Sequence, residues 1–108
     1  MRKLIIVLLA SLALGQQAFA ANASFKCNAQ SSKVEKLICS DKALAQKDVS
    51  AANLYKAAMK SLPKDQQQSL REEQRGWLEG RNACDKAADM RACIDEDYTQ
   101  RIKELKDR

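Results

Sequence analysis

The chain has 108 residues, a formal charge of +5, four cysteines, one proline and no histidine, which is one domain's worth of sequence. The missing histidine excludes Ser-His-Asp and Cys-His catalysis and any imidazole general base. The charge is mild and the few aromatics are not interleaved with basic clusters, which excludes a nucleic-acid interface built on stacking platforms.

In chain order, the first element is a secretory signal. Arg2 and Lys3 make a positive n-region, Leu4 to Leu14 an apolar h-region, and Ala18-Phe19-Ala20 an A-x-A cleavage pattern. The apolar run is too short to cross a bilayer core of about 30 Å as a helix. Cleavage is expected after Ala20, with Ala23, which closes a second A-x-A, as the nearby alternative. No cysteine directly follows either cut, so no lipid or membrane anchor is expected after cleavage. The expected organisation is a cleaved signal over 1–20 and a single domain over 21–108, soluble, in the periplasm or secreted. Losing Arg2 and Lys3 takes the charge from +5 to +3 and leaves 88 residues. A chain of that size buries only about 60–65% of its surface and often needs staples.

The cysteines Cys27, Cys39, Cys84 and Cys93 read as a disulfide framework in an exported chain. Zinc is the rival reading. It is disfavoured because there is no C-x-x-C pair and no histidine, so no metal and no cofactor are expected. Three pairings are open to the sequence. The local one, Cys27–Cys39 with Cys84–Cys93, is favoured, each loop contributing about 2–3 kcal/mol.

After a short polar, extended stretch to Gln30, Ser32-Lys33-Val34-Glu35 is a capping-box pattern opening a short helix through about Ser40. Asp41 can cap a longer second helix reaching Leu62, where Pro63 stops it. Pro63 then suits the first position of a third helix running to about Asn82. Gln66, Gln67 and Gln68 read as its solvated first turn. A polar connection through Asp85 and Lys86 leads to a fourth helix from about Ala87 to Asp107. No strand pattern is evident. The expected fold class is all-α: a small disulfide-stapled bundle of three main helices plus one short N-terminal helix.

At 100° per residue, each long helix carries an apolar stripe of core width. On the second helix it is Leu44, Ala51, Tyr55, Met59 and Leu62; on the third Leu70, Trp77, Leu78 and Cys84; on the fourth Ile94, Tyr98, Ile102 and Leu105. Four polar residues fall inside those stripes: Asp48, Gln74, Arg81 and Arg101. Charges are seldom buried unpaired. The expected solution is one mutual network, with Asp48 accepting a bidentate contact from Arg81 while Gln74 and Arg101 satisfy the remainder. The other reading is a polar pocket open to a ligand or partner. Gly76 and Gly80 lie well off the stripe, as a close backbone approach or as tolerated drift. Lys56, Lys60 and Lys64 line one side of the second helix and its turn, a solvated face or a surface for an anionic partner.

No catalytic constellation is found. The cysteines are expected to be oxidised and not thiolate nucleophiles. The acidic runs Glu72-Glu73 and Asp95-Glu96-Asp97 sit on charged helical faces, and no glycine-rich phosphate loop is present. An enzyme is not expected.

The residues read above also form a recurring pattern. Phe25-x-Cys27, Glu35-x-x-Ile38-Cys39, Leu44, Asp48, Leu54-Tyr55, Leu70, Gln74-Arg75-x-Trp77-Leu78, Arg81-x-x-Cys84, Cys93, Tyr98 and Arg101-Ile102 together resemble the LprI-like lysozyme-inhibitor family, from Phe25 to Leu105. The block from Gln74 to Cys84 is the most specific part. The resemblance implies a helical exported domain and, for the member that gave the family its name, inhibition of lysozyme by protein–protein contact. The chain departs from the pattern at Lys47, where leucine is usual, at Ala51, where a larger apolar residue is usual, and in lacking a lipid-attachment cysteine. A net-positive chain is not steered towards a basic lysozyme, so a local acidic patch at Asp89, Asp95, Glu96 and Asp97 is expected to serve. The expected function is a periplasmic binding protein whose partner is lysozyme or another secreted protein. The alternative is an envelope interaction or structural module contacting anionic polymers through its lysine-bearing face.

Overall fold

Ser32 opens the first helix by a reciprocal cap. Its Oγ accepts the Glu35 N–H at 3.1 Å, and the Glu35 carboxylate accepts the Ser32 N–H at 2.9 Å, satisfying two donors that a helix start leaves over. The computed structural model describes residues 22–108. The expected signal peptide and its expected cleavage after Ala20 lie outside the described residues.

Helix α1 spans Lys33–Ser40 and α2 spans Lys42–Ser61. Asp41 serves both. Its N–H donates to the Leu37 carbonyl at 3.0 Å, and its carboxylate accepts the Leu44 N–H at 3.1 Å. Helix α3 spans Lys64–Asn82. Pro63 stands at its cap with extended ψ, one position earlier than expected. Gln67 is not simply solvated: its Nε2 donates to the Met59 and Leu62 carbonyls at 3.1 and 3.3 Å, closing acceptors that the end of α2 leaves open.

The polar connection is a 3-10 segment, Ala83–Lys86, and α4 spans Met90–Lys106. Helix α4 therefore starts three residues later than expected. Asp89 supplies the cap that Ala87 lacks, accepting the Ala92 N–H at 2.9 Å. Among the described residues there are four α-helices and no strand. The cysteines pair locally, Cys27 with Cys39 and Cys84 with Cys93. The first ties the N-terminal segment to α1, and the second ties the 3-10 segment to the first turn of α4.

Helix α2 packs most extensively on α4, and the two run parallel. Arg91 donates to Asp41 at 2.7 Å, Lys47 to Asp95 at 2.7 Å, and Tyr98 to Asp48 at 2.8 Å, so positions advance together. Helix α3 runs antiparallel to α4: Arg101 meets Gln74, and Arg81 meets Tyr98. The core is Val34 and Ile38 from α1, Leu44 and Ala51 from α2, Cys84, and Ile94 and Tyr98 from α4. Each fully buried large aliphatic or aromatic side chain contributes about 1.5–3 kcal/mol.

The stripe on α2 is only half used. Leu44 and Ala51 are buried, whereas Tyr55, Met59 and Leu62 are partly exposed. Short α1 packs beside α2 but has no partner role past its own eight residues, and α2 and α3 have little direct contact. A groove therefore opens between them.

Candidate functional site

The four polar stripe residues divide into two networks. In the first, Asp48, Arg81 and Tyr98 are all nearly sealed, with 5%, 4% and 0% of their surfaces exposed. Asp48 and Arg81 do not make the expected bidentate contact, because Tyr98 stands between them. Arg81 Nη1 donates to the Tyr98 hydroxyl at 2.9 Å, and that hydroxyl donates to Asp48 Oδ1 at 2.8 Å. Burial pushes the Tyr98 phenol well above its usual range, so it stays protonated as a donor. Arg81 Nε and Nη2 share the Asn82 side-chain oxygen at 3.1 and 2.8 Å.

The second oxygen of Asp48 accepts the Ser24 backbone N–H. Beside it the Phe25 ring lies 5.5 Å from the Arg81 guanidinium carbon, with Trp77 and Tyr98 at 6.0 Å, a spacing at which a ring face attracts a cation. The N-terminal segment is thus strapped across α2, α3 and α4. The periodicity argument named neither Ser24 nor Tyr98 as a partner. The signal for Tyr98 was its hydroxyl at a core position; a backbone N–H from a non-helical segment leaves no signal in sequence.

In the second network Arg101, 2% exposed, presents Nε and Nη2 to the Gln74 side-chain oxygen at 3.0 and 2.8 Å. Its Nη1 meets Glu73 at 2.8 Å and Glu104 at 3.3 Å. Hydrogen bonding from Arg101 holds the Glu73 carboxyl below its usual range. Glu73 and Glu104 were not expected members. Arg101 drew them in because a buried guanidinium needs a carboxylate.

A half-open cleft of about 350 Å³ borders the first network, lined by Phe25, Asp48, Gln74, Trp77, Arg81 and Tyr98 among others. Asp48 has both oxygens engaged within the chain and Arg81 has donors on three sides engaged. These contacts link the N-terminal segment to α2 through Asp48, and α2 to α3 through Tyr98 of α4.

The acidic patch is partly spent. Asp89 is the α4 cap and Asp95 pairs with Lys47 at 2.7 Å, so the unusual lysine at 47 has a use. Glu96 is exposed. Asp97 lies 3.5 Å from Cys84 Sγ, and burial, with Glu96 nearby, raises its carboxyl. Cys84, Cys93 and Asp97 come close enough to suggest a metal, but the two sulfurs are bonded to each other and offer no thiolate. Gly76 and Gly80 face open space: a Cβ at either would meet nothing within 4 Å. Among the described residues no backbone docks there.

Lys56 and Lys60 are exposed on the open groove between α2 and α3, with Tyr55, Met59 and Arg71 beside them. Lys64, also exposed, begins α3.

The family model described as Lysozyme inhibitor LprI matches residues 23–105. The chain belongs to the LprI family. That match begins at the strap and ends at Leu105, the last buried residue of α4, so the LprI unit coincides with the packed bundle. No curated protein and no solved structure matches the chain. Among the described residues no helix is long and apolar enough to cross a membrane.

Proposed function

We propose that this chain is an exported, periplasmic inhibitor of lysozyme that works by protein–protein contact and not by catalysis. The observation that carries the reading is the LprI match over 23–105, which takes in the whole disulfide-closed bundle. Two disulfides suit an oxidising compartment. The n-region, h-region and A-x-A pattern ahead of Ala21 supply the route to it. The sealed networks give a rigid body, and a rigid body keeps the ordering cost of association low.

The test is a cell-wall turbidity assay with lysozyme and the exported protein, disulfides intact. Lysis is expected to slow in a saturable way as the protein is added. Undiminished lysis at saturating protein overturns the reading.

A further inference from the structure

Among the described residues three charged side chains are buried: Asp48, Arg81 and Arg101. The two arginines differ in what neutralises them. Arg101 meets Glu73 at 2.8 Å and Glu104 at 3.3 Å. Arg81 has no carboxylate within ion-pair distance among the described residues, and reaches Asp48 only through the Tyr98 hydroxyl. An exposed lysine without an ion pair is hydrated and implies nothing, whereas a guanidinium that is 4% exposed is mostly cut off from water. Nor are its five N–H groups all used. Nε and Nη2 donate to the Asn82 oxygen at 3.1 and 2.8 Å, and Nη1 to Tyr98 at 2.9 Å, which leaves one N–H on each terminal nitrogen.

Arg81 lines the half-open cleft of about 350 Å³, and the side chains that α2, α3 and α4 bring there have spent their acceptors but kept donors. Asp48 gives one oxygen to Tyr98 and the other to the Ser24 N–H. The Gln74 oxygen is taken twice by Arg101 and the Asn82 oxygen twice by Arg81, so each amide is left with its NH2. Glu35 also borders the cleft, but its carboxylate is turned to the exposed start of α1, where it accepts the Ser32 N–H at 2.9 Å. The remaining walls are apolar, with Phe25, Ala52, Trp77 and Leu78 among them.

We infer that this cleft is a binding site for a monocarboxylate with an apolar or aromatic body, its two oxygens taken by the free N–H groups of Arg81 and by Gln74. The inference stands apart from the inhibitor reading. Two donors on adjacent guanidinium nitrogens are what a carboxylate accepts best. Asp48, one hydroxyl away from Arg81, opposes further negative charge, which selects a monoanion over a phosphate dianion. The volume is at the small end of ligand sites, enough for an aryl acid or one residue at a chain's C-terminus. Phe25 and Trp77, already 5.5 and 6.0 Å from the guanidinium carbon, offer ring surface to the ligand's body.

The experiment titrates the disulfide-intact protein with phenylacetate and with its neutral isostere phenylacetamide, followed by proton–nitrogen NMR. A short peptide ending in phenylalanine, with a free or an amidated terminus, forms a second pair of probes. Both acids are expected to shift the Gln74 side-chain amide and the Trp77 indole signals saturably, with a dissociation constant of about 1 mM for so small a ligand. The amides are expected to bind about tenfold more weakly. Tighter binding of the peptide acid than of phenylacetate assigns the site to a chain terminus, and the reverse order to a free acid. Arg81→Lys keeps the charge and removes the fork; Ala52→Leu fills the cleft from a partly exposed position of α2 and leaves the Arg81 network alone. Both variants are expected to lose the acid's effect, and Ala52→Leu decides the matter if Arg81→Lys does not fold by circular dichroism. No saturable shift with either acid, equal binding of acid and amide, or binding unchanged in Ala52→Leu would each overturn the inference.

Discussion

Tyr98 stands between two buried opposite charges, accepting from Arg81 at 2.9 Å and donating to Asp48 at 2.8 Å. Neither charge is exposed by more than 5%, so removing the phenol hydroxyl leaves each of them one buried partner short. The interaction between α2 and α3, which touch little directly, passes through a side chain of α4.

Tyr98→Phe keeps the ring and its edge-on contact with Trp77, whose centroid is 5.1 Å away, and deletes only the relay. Hydrogen bonds to charged groups contribute about 1.5–3 kcal/mol each, and two are lost. The expected destabilisation is about 3 kcal/mol by urea denaturation. Asp48→Asn is expected to be costly as well, because it leaves Arg81 as an uncompensated buried cation. A stable Asp48→Asn protein that has lost inhibition would sink the structural account of this network and make it a contact surface.

Much of this architecture was legible in the sequence, because it is written in local chemistry. Ser32-x-x-Glu35, Asp41 and Pro63 mark helix ends by side chains that act within three residues of themselves, and the apolar stripes of α3 and α4 follow from 3.6-residue periodicity. Periodicity also flagged Asp48, Gln74, Arg81 and Arg101 as charged or polar residues out of place. It did not reveal who partners whom, since that depends on the rotation of one helix against another. The parallel packing of α2 and α4 sets Tyr98 against Asp48, and the antiparallel packing of α3 sets Arg101 against Gln74. The exposed half of the α2 stripe was hidden for the same reason. A stripe says which face is apolar, but not how far the neighbouring helices extend to cover it.

Acid is expected to destabilise the bundle through Asp41 and Glu73. Hydrogen bonds from Arg91 and Arg101 hold these carboxyls below their usual range. A carboxyl whose pKa falls on folding contributes stability above its unfolded value, near 4, and loses it as pH drops through the lower folded value. The thermal midpoint should therefore fall between about pH 5 and pH 2. Arg91→Gln should flatten part of that decline and change little else, since partly exposed pairs are worth little at neutral pH. An acid limb unchanged in this variant would show that Asp41 is not the group titrating.

Asp97 should behave in the opposite sense. Its carboxyl is raised by burial and by Glu96, so the folded chain holds that proton more tightly than the unfolded chain. The associated stability is present below the unfolded pKa and is lost as pH rises through the folded value. Asp97→Asn removes the ionisation and keeps the backbone carbonyl that accepts from Trp77 Nε1 at 3.2 Å. The variant should melt higher than the parent at neutral pH, with the gain shrinking towards about pH 3. A gain independent of pH would point to some cause other than the buried charge.

Removing the Cys84–Cys93 cross-link tests what the staples contribute. Cys84 is 1% exposed and in the core cluster, and its disulfide spans nine residues. A loop of that length contributes somewhat under about 3 kcal/mol in the chain-entropy account. The Cys84→Ala/Cys93→Ala variant also leaves a small void, at about 1 kcal/mol. Set against the 5–15 kcal/mol typical of a domain, that loss is large for a bundle with so small a core. The double variant should still fold at 25 °C by circular dichroism, with a midpoint in urea well below that of the parent. Its amide exchange should rise most in the 3-10 segment and the first turn of α4, which the bond holds together. Exchange that rises evenly along all four helices instead would mean that the cross-link acts on the unfolded chain alone and leaves local order at the start of α4 to the Asp89 cap.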